Sequence, residues 1–199
     1  MRLADSALPQ TPATEAAIAV ARRYSAPALL NHSVRCWHWA VGLGVALEVP
    51  VGDPELLAVA ALLHDIGLAP EFDAVRLPFE TAGGNVAWVL AAGAGWPPGR
   101  RDRVVEVIER HMVPEVDPLT DPEGHLLEIA TSLDISGARA GVLPADFVAE
   151  VLTAFPRLDL GARFGACLAD QAERKPGSQA ARVVAGGLAK KLAHHPHEA

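Results

Sequence analysis

The chain has 199 residues, half of them hydrophobic, with two cysteines and a formal net charge of −7, which suits one domain with a sizeable buried core. The acidic balance contains no basic block, so it excludes the positive stripe of a duplex nucleic-acid binder, and no stretch reaches the ~18 unbroken apolar residues of a membrane span. Cys36 and Cys167 form neither a CxxC pair nor a secreted framework and no signal peptide opens the chain, so reduced thiols in a cytoplasm are expected.

Ala and Leu dominate and strand-like β-branched runs are few, which predicts an all-α fold, a single compact helical bundle. Residues 1–13, rich in Pro and polar groups, read as a flexible arm. Thr14 is expected to cap a first helix ending near Tyr24, before Pro27. A second helix should cover Ala28 to Leu47. Asp53-Pro54 opens a third, which Gly67 is expected to stop. A loop with Pro70 and Pro78 leads to a fourth helix, Phe79 to Ala92. A fifth is predicted from Arg100 to Met112 and a sixth from Glu123 to Ser136, with a proline-containing loop between them. Helices near Ala145 to Phe155, Gly161 to Glu173 and Ser178 to Leu192 complete residues 14–192. Residues 193–199, with His194, His195 and His197, read as a flexible tail outside the site.

The polar residues that fall on apolar faces carry the functional argument. Leu57, Ala60 and His64 recur at helical spacing, so His64 faces inward with Asp65 beside it. A buried ionised Asp is costly unless it is paired or binds a metal. His32 shares a face with Arg35, Cys36 and Trp39. Val104, Ile108 and His111 form another stripe, and Leu127, Ala130 and Asp134 a third. Glu80 is followed on its face by Gly84 and Ala87, small residues that permit close helix approach. Each alone has an ordinary explanation: a core histidine, a helix-end His, a first-turn Glu, an Arg in an ion pair. Together they offer inward donors from several helices, as one metal in the middle of a bundle requires.

The order His32, His64-Asp65, Asp134 resembles the signature of the HD superfamily of metal-dependent hydrolases, which is all-α. Leu30-Asn31-His32-Ser33-Val34-Arg35, Leu62-Leu63-His64-Asp65-Ile66-Gly67-Leu68, Phe79-Glu80, Ile108-Glu109-Arg110-His111 and Leu133-Asp134-Ile135-Ser136-Gly137 look similar to its cyanamide hydratase-like branch. So do Phe155-Pro156-Arg157 and Arg174-Lys175-Pro176. The resemblance implies that His32, His64, Asp65 and Asp134 bind one divalent metal, zinc first, with iron or manganese as alternatives. Glu80 stands where some members carry an extra His, so a second metal using Glu80 and His111 is the variant to test.

The expected catalytic residues are Asp65, His111, Glu80 and Arg35: Asp65 to take a proton, His111 and Glu80 to shuttle protons or orient substrate, Arg35 to meet developing negative charge. Trp39 and Trp88 are candidates for pocket walls. The expected activity is attack by metal-bound water or hydroxide on a small nitrile- or cyanamide-like molecule. A phosphomonoesterase, a two-iron oxygenase and a non-catalytic helical binding module are the alternatives. The partner is a small molecule, with neither nucleic acid nor membrane, and the surface permits a homo-oligomer.

Overall fold

A computed structural model describes residues 1–197. Among the described residues there are helices and turns and no strand, as the composition predicts. Five of the helices begin on a proline: α1 (Pro12–Tyr24), α2 (Pro27–Ala46), α3 (Pro54–Leu63), α5 (Pro98–Arg110) and α6 (Pro122–Ser136). Proline is pre-set for that position and loses nothing there, because the first helical N–H has no partner. Asp53 and Asp121 cap α3 and α6 by accepting from the N–H groups of Leu56 and Gly124. The first helix is capped by Thr11, which accepts from Thr14 N–H. The expected cap Thr14 therefore lies inside the first turn, because Pro12 starts the helix earlier.

The centre of the bundle is α2 with α3 and α6 packed on it. Leu56 through Leu63 are all buried, and a helix that is apolar all round belongs in an interior. Helices α1, α4 (Phe79–Gly93) and α5 surround α3. A second apolar cluster joins α8 (Leu160–Arg174), α9 (Gln179–Ala185) and α10 (Leu188–Ala193) to Leu29, Leu68, Phe79 and Ile135. A further helix, α7 (Ala145–Ala154), packs on α2.

Two further helix boundaries are corrected. Helix α3 stops at Leu63, before Gly67. Asp65 adopts φ −101°, ψ 5°, a sparsely allowed conformation that breaks the helical repeat, and a 3-10 turn follows at Ile66–Leu68. Gly67 is needed for contact instead: a Cβ there would fall 2.1 Å from the Phe79 carbonyl oxygen. The predicted Ser178 to Leu192 helix is two helices, because Gly186-Gly187 interrupts it and Gly187 takes φ +86°, a left-handed conformation that suits glycine.

The arm over residues 1–13 is seated rather than loose. Leu3–Ser6 form a 3-10 turn, Ser6 O accepts from Trp37 Nε1 at 2.7 Å, and Ser6 Oγ meets His38 Nδ1 at 2.8 Å. Buried indole and imidazole nitrogens need partners, and the arm supplies them. The tail is docked through residue 197: His195 is buried, its Nε2 is 3.2 Å from Leu133 O, and Pro196 lies over Gly137. Its last two positions, 198 and 199, lie outside the described residues. No helix among the described residues is long and apolar enough to cross a membrane.

Candidate metal centre

The two apolar clusters meet at a polar seam, and the residues expected to bind a metal converge there. His32 comes from the second turn of α2, His64 and Asp65 from the turn after α3, and His111 from the end of α5. All four are buried. His32 Nε2 is 3.1 Å from His64 Nε2, and each is 3.4 Å from Asp65 Oδ2. His111 Nε2 is 3.8 Å from Asp65 Oδ1.

Proton positions in this cluster follow from the outward nitrogens. Each imidazole faces an acceptor with Nδ1: His64 the Ala61 carbonyl at 2.8 Å, His111 the Ile108 carbonyl at 2.5 Å, His32 the Asp134 carboxylate at 2.7 Å. An Nδ1 that donates leaves a lone pair on Nε2 of a neutral ring. When the three rings are neutral their Nε2 lone pairs turn toward Asp65, and neither oxygen of that carboxylate has a hydrogen-bond partner. A buried set of acceptors with no donor is strongly unfavourable unless a cation occupies the middle.

The distances fit one. Two donors each about 2.1 Å from a single ion lie roughly 3.0–3.4 Å apart at octahedral to tetrahedral angles, which is the spacing of His32, His64 and Asp65. The outward hydrogen bonds are the usual second layer that fixes a metal-binding imidazole. Burial works against the Asp65 charge, but positive charge beside it, at His64 and His32, outweighs burial and holds the carboxyl well below its usual range, a role that a bound cation would take over. Burial, and the neighbouring His64 ring, push His111 down to about 3. Both groups thus take the forms that bind metal, carboxylate and neutral imidazole.

Asp134 stands differently from the expectation. Its Oδ2 accepts from His32 Nδ1 and from Arg35 Nη2 at 2.7 Å, and its Oδ1 from Arg35 Nε at 2.8 Å and Trp39 Nε1 at 2.6 Å. It is one imidazole removed from the cluster. Burial opposes its charge, but Arg35 overcomes this and keeps the carboxyl well below its usual range.

Arg35 is likewise committed. Besides Asp134 it donates to the carbonyls of Phe155 and Pro156 and is fully buried. The expected anion-binding role is therefore corrected to the ion-pair one. Trp39 is the fourth donor to Asp134 rather than a pocket wall, and Trp88 donates to Asp102 on the surface. Glu80 is buried with Oε2 unpartnered. Burial, with Asp65 and Glu109 nearby, raises its carboxyl above the usual range.

A cavity of about 280 Å³ opens from the cluster, lined by His32, His64, Asp65 and His111 at its base. One wall is the α6 stripe Glu128, Thr131, Ser132, Ile135 and Ser136. Sequence reasoning missed these residues as a group. Their i, i+3, i+4, i+7 and i+8 spacing is the signal the sequence carries, masked because a largely polar helix face ordinarily faces solvent. Cys36, expected on the His32 face, has its Sγ 3.6 and 3.7 Å from the two His32 nitrogens and rests against that ring.

A family model described as HD domain matches residues 29–135, more than half of the chain. The chain belongs to the HD-domain family. Within it, the sequence is 32% identical over 160 residues to the cyanamide hydratases DDI2 and DDI3 of Saccharomyces cerevisiae, a match that spans 78% of this chain and 70% of each relative. The HD-domain assignment and these relatives make it a metal-dependent hydrolase or hydratase of the cyanamide hydratase-like branch.

Proposed function

We propose that this HD protein adds water across the C≡N bond of a small, neutral, nitrile- or cyanamide-like substrate. The observation that carries the reading is the set of buried acceptors around Asp65, open to a cavity that has little positive charge. We assign His32 Nε2, His64 Nε2, Asp65 and His111 Nε2 as the groups that hold one divalent ion, zinc first and iron or manganese as alternatives. Bound there, the cation supplies Lewis acidity and lowers the pKa of water toward about 7.

The other steps belong to the chain's own groups. Asp65 uses Oδ2 toward His32 and His64, leaving Oδ1 to take a proton from the attacking water. Asp134, held by Arg35, keeps His32 in the tautomer that presents Nε2. Thr131 and Ser132 donate their hydroxyl protons to the Glu128 carbonyl and carboxylate, which leaves their oxygens to accept from substrate N–H groups. Glu80 is buried outside the cavity lining. A phosphomonoester would call for several converging cations, and among the described residues lining the cavity Lys191 is the one permanent cation.

The test combines metal analysis with an activity panel. Purified protein should carry about one equivalent of transition metal and should hydrate members of a panel of cyanamides and nitriles while leaving nucleoside monophosphates intact. Asp65→Ala should lose both metal and turnover with its helical circular dichroism largely kept. Phosphate release without any C≡N turnover would overturn the proposal, as would full activity in that variant.

A further inference from the structure

We propose that the substrate carries an apolar substituent of about five to eight carbons beside its C≡N group, an alkyl- or aryl-substituted cyanamide or nitrile; this rests on the hydratase reading above. The cavity volume, about 280 Å³, lies near the lower edge of the ~300–1,000 Å³ range of small-molecule pockets. Unsubstituted cyanamide has three non-hydrogen atoms and leaves most of that space without contacts. An unfilled apolar space forfeits the dispersion that would hold a ligand.

The lining away from the base is what an apolar group needs. Met112, Pro114, Ile135, Phe164, Val183 and Leu188 face it from the loop after α5 and from α6, α8, α9 and α10. The apolar lining thus comes from the loop after α5 and from four helices that converge on one half-open space, rather than from a flat patch. The ionic groups beyond the base are Glu128, half-buried, and Lys191, exposed. Phe164, Val183, Leu188 and Lys191 lie outside residues 29–135, the part matched by the HD-domain model. The base of the pocket thus belongs to the shared fold, while much of its wall is specific to the C-terminal helices.

The reaction stays balanced for such a substrate. Water oxygen bonds to the nitrile carbon, both π bonds of C≡N are given up for one C=O, and both water protons finish on the former nitrile nitrogen. R–NH–C≡N becomes R–NH–CO–NH2, and nothing is oxidised or reduced. Each buried CH2 equivalent is worth about a fourfold gain in affinity, so a phenyl group should gain well over tenfold.

Two measurements on metal-loaded full-length protein test this. In steady-state kinetics, phenylcyanamide should exceed cyanamide in kcat/KM at least tenfold. By calorimetry, the product phenylurea should bind at least tenfold more tightly than urea. Val183→Phe, at a half-buried wall position, should shrink both ratios at least threefold. Cyanamide preferred over phenylcyanamide, phenylurea binding no better than urea, or ratios untouched by Val183→Phe would each overturn the proposal. If neither cyanamide is hydrated while phenylurea still binds tightly, the hydratase reading fails and the apolar substrate site stands.

Discussion

Asp134 illustrates how much one side chain's partners matter. It accepts four hydrogen bonds, two of them from Arg35, in a region where neither group touches solvent. Such a pair is costly to bury and far costlier to break, since one removed charge strands the other. Asp134→Asn should therefore destabilise the fold by about 3–5 kcal/mol in urea denaturation. It should also weaken metal affinity roughly 10–100-fold, because His32 loses the acceptor that fixes its ring. Unchanged metal affinity in a folded Asp134→Asn protein would remove Asp134 from the positioning role. The sequence shows that Asp134 faces inward, and that Arg35 and Trp39 share the His32 face. It does not show which inward group receives which carboxylate oxygen, because helical phase fixes a direction and leaves the pairing to tertiary packing. The imidazoles were legible for the opposite reason: His32, His64 and His111 each interrupt an apolar stripe, and any cation must lie where the stripes meet.

At the scale of elements, the turn between α3 and α4 is the most constrained part of the bundle. Gly67 passes against the Phe79 carbonyl, and Gly83 lies against the carbonyls of Leu63 and His64. These close approaches set where His64 and Asp65 stand relative to α4. A methyl group at position 67 has no room, since its carbon would meet backbone that cannot swing aside. Gly67→Ala should cost about 3 kcal/mol of stability, the upper range for overpacking, and should lower metal content at the same time, read by elemental analysis of the folded fraction. Normal stability would show that the turn can shift. Helix starts were legible at this scale because proline and the capping residues act locally. The end of α3 was not, because Gly67 has two possible uses, as a helix stop and as a contact point, and only tertiary structure distinguishes them. The break at Gly186-Gly187 was overlooked for the same reason: apolar spacing continues across it while the backbone turns.

For the whole molecule, the first residues and the last described ones hold the bundle from opposite ends. His38 is buried, and burial lowers its pKa to about 4, below the usual 6.5 for histidine. Between pH 6.5 and 4 the unfolded chain binds a proton that folded His38 refuses, so stability must fall as pH drops through that window. The loss attributable to this ring approaches roughly 3 kcal/mol at its limit. His38→Gln should flatten the difference between urea midpoints at pH 7 and pH 4.5 relative to the parent protein; parallel curves would show that Ser6 and His38 do not hold the arm. The seating of residues 1–13 was invisible in sequence because Ser6 looks like any polar loop residue until Trp37 and His38 arrive beneath it.

The division of the pocket between early and late parts of the chain has a consequence for synthesis. His32, His64, Asp65 and His111 leave the ribosome about fifty residues before Phe164, the first of the C-terminal wall residues, and domains form as they emerge. A growing chain therefore presents every proposed metal-binding group before the residues that will cover them exist. The cover is made last, so the donors and the wall of the pocket belong to different stages of synthesis.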